Sequence, residues 1–255
     1  NASDYNGGDN GAISEESFDN LISTVSRYLN KEANRDDVTE SILAIESNTS
    51  EKNPSSISRG SSLDIDDNGL VTLAGGKITD YRKMAEGAMR KIIEILAEQH
   101  SRHYRLINSK TYPVSGGELN PANVESELET FAQLGVKRGL DIADARYIAN
   151  VFGSNAPRVF NLANELEAAE GLTIRDTLVL HYTMREEAVL TPVDYFLRRT
   201  NHLLFMRETM DQLIQPIANE MAKYLGWSEE EQAAHLAALD RVLAERDLRE
   251  LKATN

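Results

Sequence analysis

NGLVTLAGGKITDYRKMAEG, residues 68–87, is the stretch on which the fold turns. Asp66-Asp67-Asn68-Gly69 is a turn signal. Leu70, Val71, Thr72, Leu73 and Ala74 then form a short β-prone run that ends in Gly75 and Gly76. From Ile78 to about Ala97 the apolar residues Tyr81, Met84, Ala85, Ala88, Met89, Ile92, Ile93 and Leu96 recur at helical spacing. Strand, two glycines and helix make the one β-to-α unit legible in the chain. Two glycines let backbone approach something closely, and a helix start offers free N–H groups and a partial positive charge. With Lys77 and Thr79 at that end, the segment suits an anion or a partly negative ring edge. A tight strand-to-helix turn without any ligand accounts for the same residues.

Moving upstream, residues 1–11 are rich in Gly, Asn and Asp and read as loop. Ser14 is placed as an N-cap, with Glu15 and Glu16 in the first turn and Phe18, Leu21, Ile22, Val25 and Leu29 as the apolar stripe. A second helix is expected after Asn34, with Val38, Ile42, Leu43 and Ile45 on its stripe, followed by a long polar loop over 47–62. Downstream of a turn at Ser115-Gly116-Gly117 the pattern is all helical. Asn120-Pro121 predicts a start and Gly135 a stop. Asp141 begins the next helix and Gly153 ends it, and a third is expected over 154–170, stopped by Gly171. Thr173 with Asp176, Thr191 with Asp194, and Ser228 with Glu231 are spaced as capping boxes. Pro216 lies inside a helical pattern and predicts a kink or restart there. At least six helices are expected in this half, each with one apolar stripe, as in a bundle.

Composition sets the outer limits. The 255 residues carry 41 acidic against 27 basic side chains, a formal charge of -14. A field of that sign opposes nucleic-acid phosphates, so no nucleic-acid partner is expected. There is no cysteine, which excludes disulfides and thiolate chemistry and suits a reducing compartment. No apolar run reaches the roughly 18 residues a membrane helix needs, so no transmembrane segment is expected. With no basic-then-apolar leader either, the expected location is cytoplasmic. His100 and His103 could share a helix face, but with Ser101, Arg102 and Arg105 around them they read as a solvated helix end, and no metal site is expected. The chain has no Gly-x-Gly-x-x-Gly fingerprint, no Gly-x-x-x-x-Gly-Lys-Ser/Thr loop and no Gly-x-Ser-x-Gly elbow, hence no standard nucleotide grip of its own.

Gly75-Gly76-Lys77-Ile78-Thr79-Asp80-Tyr81-Arg82-Lys83 resembles the Gly-Gly-Lys-(Leu/Ile)-Thr-x-Tyr-Arg-Lys motif of FAD-dependent glycerol 3-phosphate dehydrogenases and α-glycerophosphate oxidases. The resemblance implies that this strand and helix belong to an FAD domain, with Gly75, Gly76, Lys77, Ile78 and Thr79 lining the flavin and Lys77 also reaching substrate. Ser58-Arg59-Gly60-Ser61-Ser62 resembles the family's Ser/Thr-Arg element, which implies that Arg59 pairs with the substrate phosphate. Thr111 to Glu118, and the His181-Tyr182 and Asp194 to Thr200 stretches, resemble parts of the family's helical C-terminal domain. For the residues of those stretches packing and ion pairing are expected. Asp80 stands where many relatives have Thr, and residues 10–56 form an extra stretch that points to the oxidase branch. The family's other substrate-binding Arg, in an Arg-Pro-Leu element, has no match here.

The fold expected from all this is mainly α: a C-terminal helical bundle over 109–255, preceded by a strand–helix piece of an FAD domain over 63–108 and a helical insertion with loop over 1–62. The implied function is the C-terminal part of an oxidase that turns sn-glycerol 3-phosphate and oxygen into dihydroxyacetone phosphate and hydrogen peroxide. FAD is the cofactor of the whole enzyme and is not expected in this chain alone. The general base is not assigned. A homodimer through the exposed edge of the strand at 70–74 is a further expectation. An acidic, all-helical interaction module without catalysis is the alternative, and it leaves Gly75 to Thr79 without a purpose.

Overall fold

The computed structural model describes residues 15–38 and 61–244, which fall into two compact units. The first holds the described residues up to Tyr112, and the second begins at Pro113.

In the first unit, α1 (Glu15–Leu29) opens with Glu15 and Glu16, whose charges complement the helix dipole. Phe18 is buried, and the Arg35 guanidinium lies 5.7 Å from its ring centroid. The same guanidinium forks onto Asp19 with its closest contact at 2.8 Å. Asn34 caps a short 3-10 turn, Arg35–Asp37, in a reciprocal box with Asp37. The second helix expected there rested largely on residues beyond 38, which lie outside the described residues, as does Ser14.

Two strands follow rather than one. β1 (Ser61–Ile65) pairs antiparallel with β2 (Val71–Gly75), in the register Ser61 to Gly75, Leu63 to Leu73 and Ile65 to Val71. β1 has too few apolar residues to announce itself. The turn recruits it: Gly69, at φ +84, donates its N–H to the Asp66 carbonyl at 2.9 Å, and Asn68 Oδ1 accepts the Leu70 N–H at 3.1 Å. The helix after the glycines also starts later than its apolar spacing predicts. A 3-10 turn, Ile78–Asp80, comes first, and α2 runs Tyr81–His100. It ends at Ser101, which adopts the left-handed conformation. No residue of α2 is buried, so its apolar stripe is only partly covered.

The second unit is a helical bundle around α6 (Ile174–Glu186), in which Asp176 through Met184 are all buried. Around it lie α3 (Val124–Lys137), α4 (Ile142–Phe152), α5 (Ala156–Asn161), a π-helical turn (Asp194–Arg199), α7 (His202–Phe205), α8 (Arg207–Leu225) and α9 (Glu229–Ala244). Ile148, Phe160, Leu178, Leu180, Phe196, Leu203, Met210, Ile217 and Leu239 are fully buried in its core. Each such side chain contributes about 1.5–3 kcal/mol of burial.

Several boundaries move for physical reasons. Asn120-Pro121 does not start α3. Asn120 Oδ1 accepts the Ala122 N–H, which makes a turn, and the helix starts after Asn123. Gly135 is not a stop but a close contact inside α3, where a Cβ would meet the Phe160 ring at 2.6 Å and Ala145 Cβ at 2.9 Å. The helix expected over 154–170 shrinks to α5 flanked by 3-10 turns: Glu165 and Leu166 still bond back to Leu162, but the Ala169 N–H donates to Thr177 Oγ1 at 3.0 Å. Pro216 does not divide α8, whose assigned span runs through it. Its ring lies against Gly171, where a Cβ would meet Cγ at 2.8 Å. The caps at Asp141, Thr173 and Ser228 form as the sequence predicts.

Candidate functional site

At the end of β2 the chain turns through two consecutive positive φ angles, +81° at Gly75 and +87° at Gly76. Residues other than glycine strongly resist that conformation. Both glycines are half-buried, and a Cβ built on Gly76 would overlap the Met84 sulfur on α2. Gly76 is fixed by its backbone angle, and the flexible thioether of Met84 packs on the side a Cβ would occupy. Lys77 then extends (φ −90°, ψ 150°), and the Asp80 N–H donates to its carbonyl at 2.8 Å, which opens the 3-10 turn. Neither Lys77 nor Asp80 caps the helix with a side chain. The Tyr81 N–H donates to the Ile78 carbonyl, and the helix start keeps the positive end of its dipole without a side-chain cap.

Lys77, Ile78 and Thr79 are exposed at this end, Ile78 at 91%. Ile78 is thus an uncovered apolar side chain beside a cation and a helix start that no side chain caps. The structure thus groups five of the residues singled out by sequence: Gly75, Gly76, Lys77, Ile78 and Thr79. Arg59 lies outside the described residues. On α2, Arg82 donates to Ser109 Oγ at 3.3 Å. Glu86 is held below the ordinary carboxylate range first by its bond from Arg90 and then by the charge of Lys83. Met84 was legible only as a member of an apolar stripe. Its contact with Gly76, eight positions earlier, had no sequence signal of its own.

In the second unit, Ser115-Gly116-Gly117 is pinned to the end of α4. The Gly116 carbonyl accepts the Ser154 N–H at 3.0 Å, and Asn155 Nδ2 donates to Ser115 Oγ at 2.8 Å. Gly153 (φ +54°, ψ −129°) stands so close that a Cβ there would overlap the Gly116 carbonyl oxygen.

Residues 107–232 match the C-terminal domain of alpha-glycerophosphate oxidase. The alpha-glycerophosphate oxidase of Streptococcus pneumoniae is 63% identical over 253 residues, 98% of this chain and 42% of that protein. The chain belongs to the alpha-glycerophosphate oxidase family. The Lactococcus lactis oxidase is 51% identical over 98% of the chain and 41% of its own length. Among solved structures, the glycerol-3-phosphate dehydrogenase from Bacillus halodurans complexed with FAD superimposes with a TM-score of 0.75 at 26% identity, over 92% of this chain and 46% of that one. The chain thus spans about two-fifths of the length of the curated oxidases it matches, and it corresponds to their C-terminal portion.

Within the oxidase C-terminal domain, the residues for which packing was expected do pack. His181, 4% exposed, holds Glu220 Oε1 at 2.8 Å through Nε2, while its Nδ1 has no partner among the described residues. Arg198 pairs with Asp194 at 2.7 Å and Arg199 with Glu187 at 3.6 Å. Burial raises the Glu187 carboxyl, and the Arg199 charge partly offsets this. His202 is buried beside Tyr195 with its Nδ1 also unpartnered among the described residues, and burial pushes its imidazole below the ordinary range. Burial likewise pushes the Tyr195 phenol up, so it stays neutral. No cluster of three or more His, Asp or Glu among the described residues is arranged to hold a metal ion, and no described helix is long and apolar enough to cross a membrane.

Proposed function

We propose that this chain is the C-terminal part of an FAD-dependent oxidase that converts sn-glycerol 3-phosphate and oxygen to dihydroxyacetone phosphate and hydrogen peroxide. The observation that carries the reading is the uncapped helix start after Gly75-Gly76, on a chain 63% identical to a streptococcal alpha-glycerophosphate oxidase. FAD, when bound, supplies the hydride acceptor for the C2–H bond and delivers the electron pair to oxygen. The residues present fit one edge of that group. The Gly75-Gly76 turn presents backbone without side chains, and the dipole of a helix start that no side chain caps favours negative charge building on a ring edge. Gly75, Gly76, Ile78 and Thr79 form the wall that excludes water from this edge. Lys77 holds the substrate phosphate side by charge, and Arg59 supplies a planar fork for phosphate oxygens. With no pyrophosphate fingerprint, the chain alone binds no FAD, and association of copies occurs through a free edge of the β1–β2 hairpin.

The test uses the full-length enzyme. The protein is purified, its visible spectrum recorded, and glycerol 3-phosphate added in air. Flavin bleaching with stoichiometric peroxide supports the reading. A colourless protein, or a yellow one indifferent to the substrate, removes it in favour of an acidic helical interaction module. Lys77→Ala is expected to lower kcat/KM by about 10- to 100-fold, the scale of a lost hydrogen bond to a charged group.

A further inference from the structure

The sulfur of Met84 sits where oxidation would unseat the Gly75-Gly76 turn. Met84 is half-buried on α2, and a Cβ on Gly76 would overlap its Sδ and come within 3.0 Å of its Cε. The thioether packs against the turn on the side that a Gly76 side chain would occupy. On its other side Met84 lines an open groove of about 270 Å³ with Leu63, Leu73, Asp80, Lys83 and Ala88. A groove of that size admits water-sized molecules, so the Met84 side chain borders both the turn and a space open to solvent.

We propose that Met84 is an oxidation site at which hydrogen peroxide switches off the Gly75 to Thr79 surface. This rests on the oxidase reading, which supplies peroxide as a product of the same protein. The sulfur lone pair attacks one peroxide oxygen and the O–O bond breaks. An S–O bond forms, and the other oxygen leaves as water with both protons. The thioether is oxidised by two electrons and the peroxide is reduced by two. The product is a polar, chiral sulfoxide in place of a flexible apolar chain, packed against the Gly76 backbone. Gly76 must shift, and Lys77, Ile78 and Thr79 move with it. Met89 and Met206 are more exposed and also react, and neither is among the atoms that a Cβ on Gly76 would meet.

The experiment treats the full-length enzyme with a graded dose of hydrogen peroxide, removes the excess with catalase, and reads three quantities. Mass spectrometry follows the gain of one oxygen, about 16 Da, at Met84, Met89 and Met206. Hydrogen exchange follows residues 75–79. Turnover of glycerol 3-phosphate is measured with an artificial electron acceptor. The expected result is a loss of up to about 100-fold in turnover, the scale on which an ångström's displacement acts. That loss tracks Met84 and not Met89 or Met206, and exchange at 75–79 rises. Met84→Leu keeps the packing and resists the dose, whereas Met84→Gln is impaired without any peroxide. Unmodified Met84 at a dose that oxidises Met89 and Met206 overturns the proposal, as does Met84→Leu losing activity to peroxide as the wild type does. A full-length protein with no turnover at all defeats the oxidase reading instead, while mass and exchange still decide whether the sulfur controls the turn.

Discussion

Gly153→Ala is the sharpest test of how the second unit is held together. Gly153 has φ +54° and ψ −129°, a region essentially closed to side chains, which costs about 1–3 kcal/mol. The new Cβ would also overlap the Gly116 carbonyl oxygen. Backbone cannot rotate aside as a side-chain end can, so the 113–118 segment must move, adding about 1–3 kcal/mol. The hydrogen bond from the Ser154 N–H to that oxygen is strained as well, a loss of about 1 kcal/mol. Against this, alanine reduces the freedom of the unfolded chain, recovering about 0.4–1 kcal/mol. The net is about 4 kcal/mol of destabilisation. At about 2–4 °C per kcal/mol for a chain of this size, Tm falls by roughly 10 °C. Gly226→Ala is the matched control. Its φ is +74°, and nothing lies within 4 Å of the added Cβ. It should lose only the left-handed penalty of about 1–2 kcal/mol. Thermal melts of both variants by far-ultraviolet circular dichroism decide the matter. Equal shifts would mean that the close approach at Gly116 contributes nothing, and the reasoning would fail.

Other expectations follow from the buried polar groups. His202 is buried and its pKa is depressed, so the unfolded chain takes up a proton first as pH falls. Stability is intact above the unfolded value of about 6.5 and drains away below it. Urea midpoints compared at about pH 7.5 and about pH 5.5 should show the drop, and His202→Gln should flatten it. Glu220→Ala leaves His181 buried with neither ring nitrogen bonded to a side chain and should cost about 1–3 kcal/mol, read as a lower urea midpoint with unchanged slope.

The bundle was legible because its helices begin and end on side chains that act locally. Asp141, Thr173 and Ser228 bond N–H groups two or three residues ahead, and a short-range rule finds them. The boundaries that moved depend on partners far along the chain. Gly135 carries the composition of a stop, yet the Phe160 ring, brought in by α5, decides its role. Residues 165–170 have helical composition, yet Thr177 claims the Ala169 N–H. The strand β1 owes its existence to β2 and a tight turn, and its Ser61-Ser62-Leu63-Asp64-Ile65 sequence alone says little. At the candidate site the glycines, Lys77, Ile78 and Thr79 were legible because they are contiguous. Met84 was not, because only the packing of helix on turn brings it to Gly76. Arg59 lies outside the described residues.

The pinning of Ser115 to Gly117 onto the end of α4 also has a kinetic side. Its bonds, Ser154 to Gly116 and Asn155 to Ser115, span up to 40 positions, so the loop they close costs roughly 3 kcal/mol of chain entropy. The α3–α4 hairpin is local and can form without them. The junction at Gly116 and Gly153 therefore closes late, after the barrier has been crossed. Substitutions there should accelerate unfolding and leave the refolding rate nearly untouched. These few backbone contacts thus govern how long the folded domain lasts more than how quickly it arises.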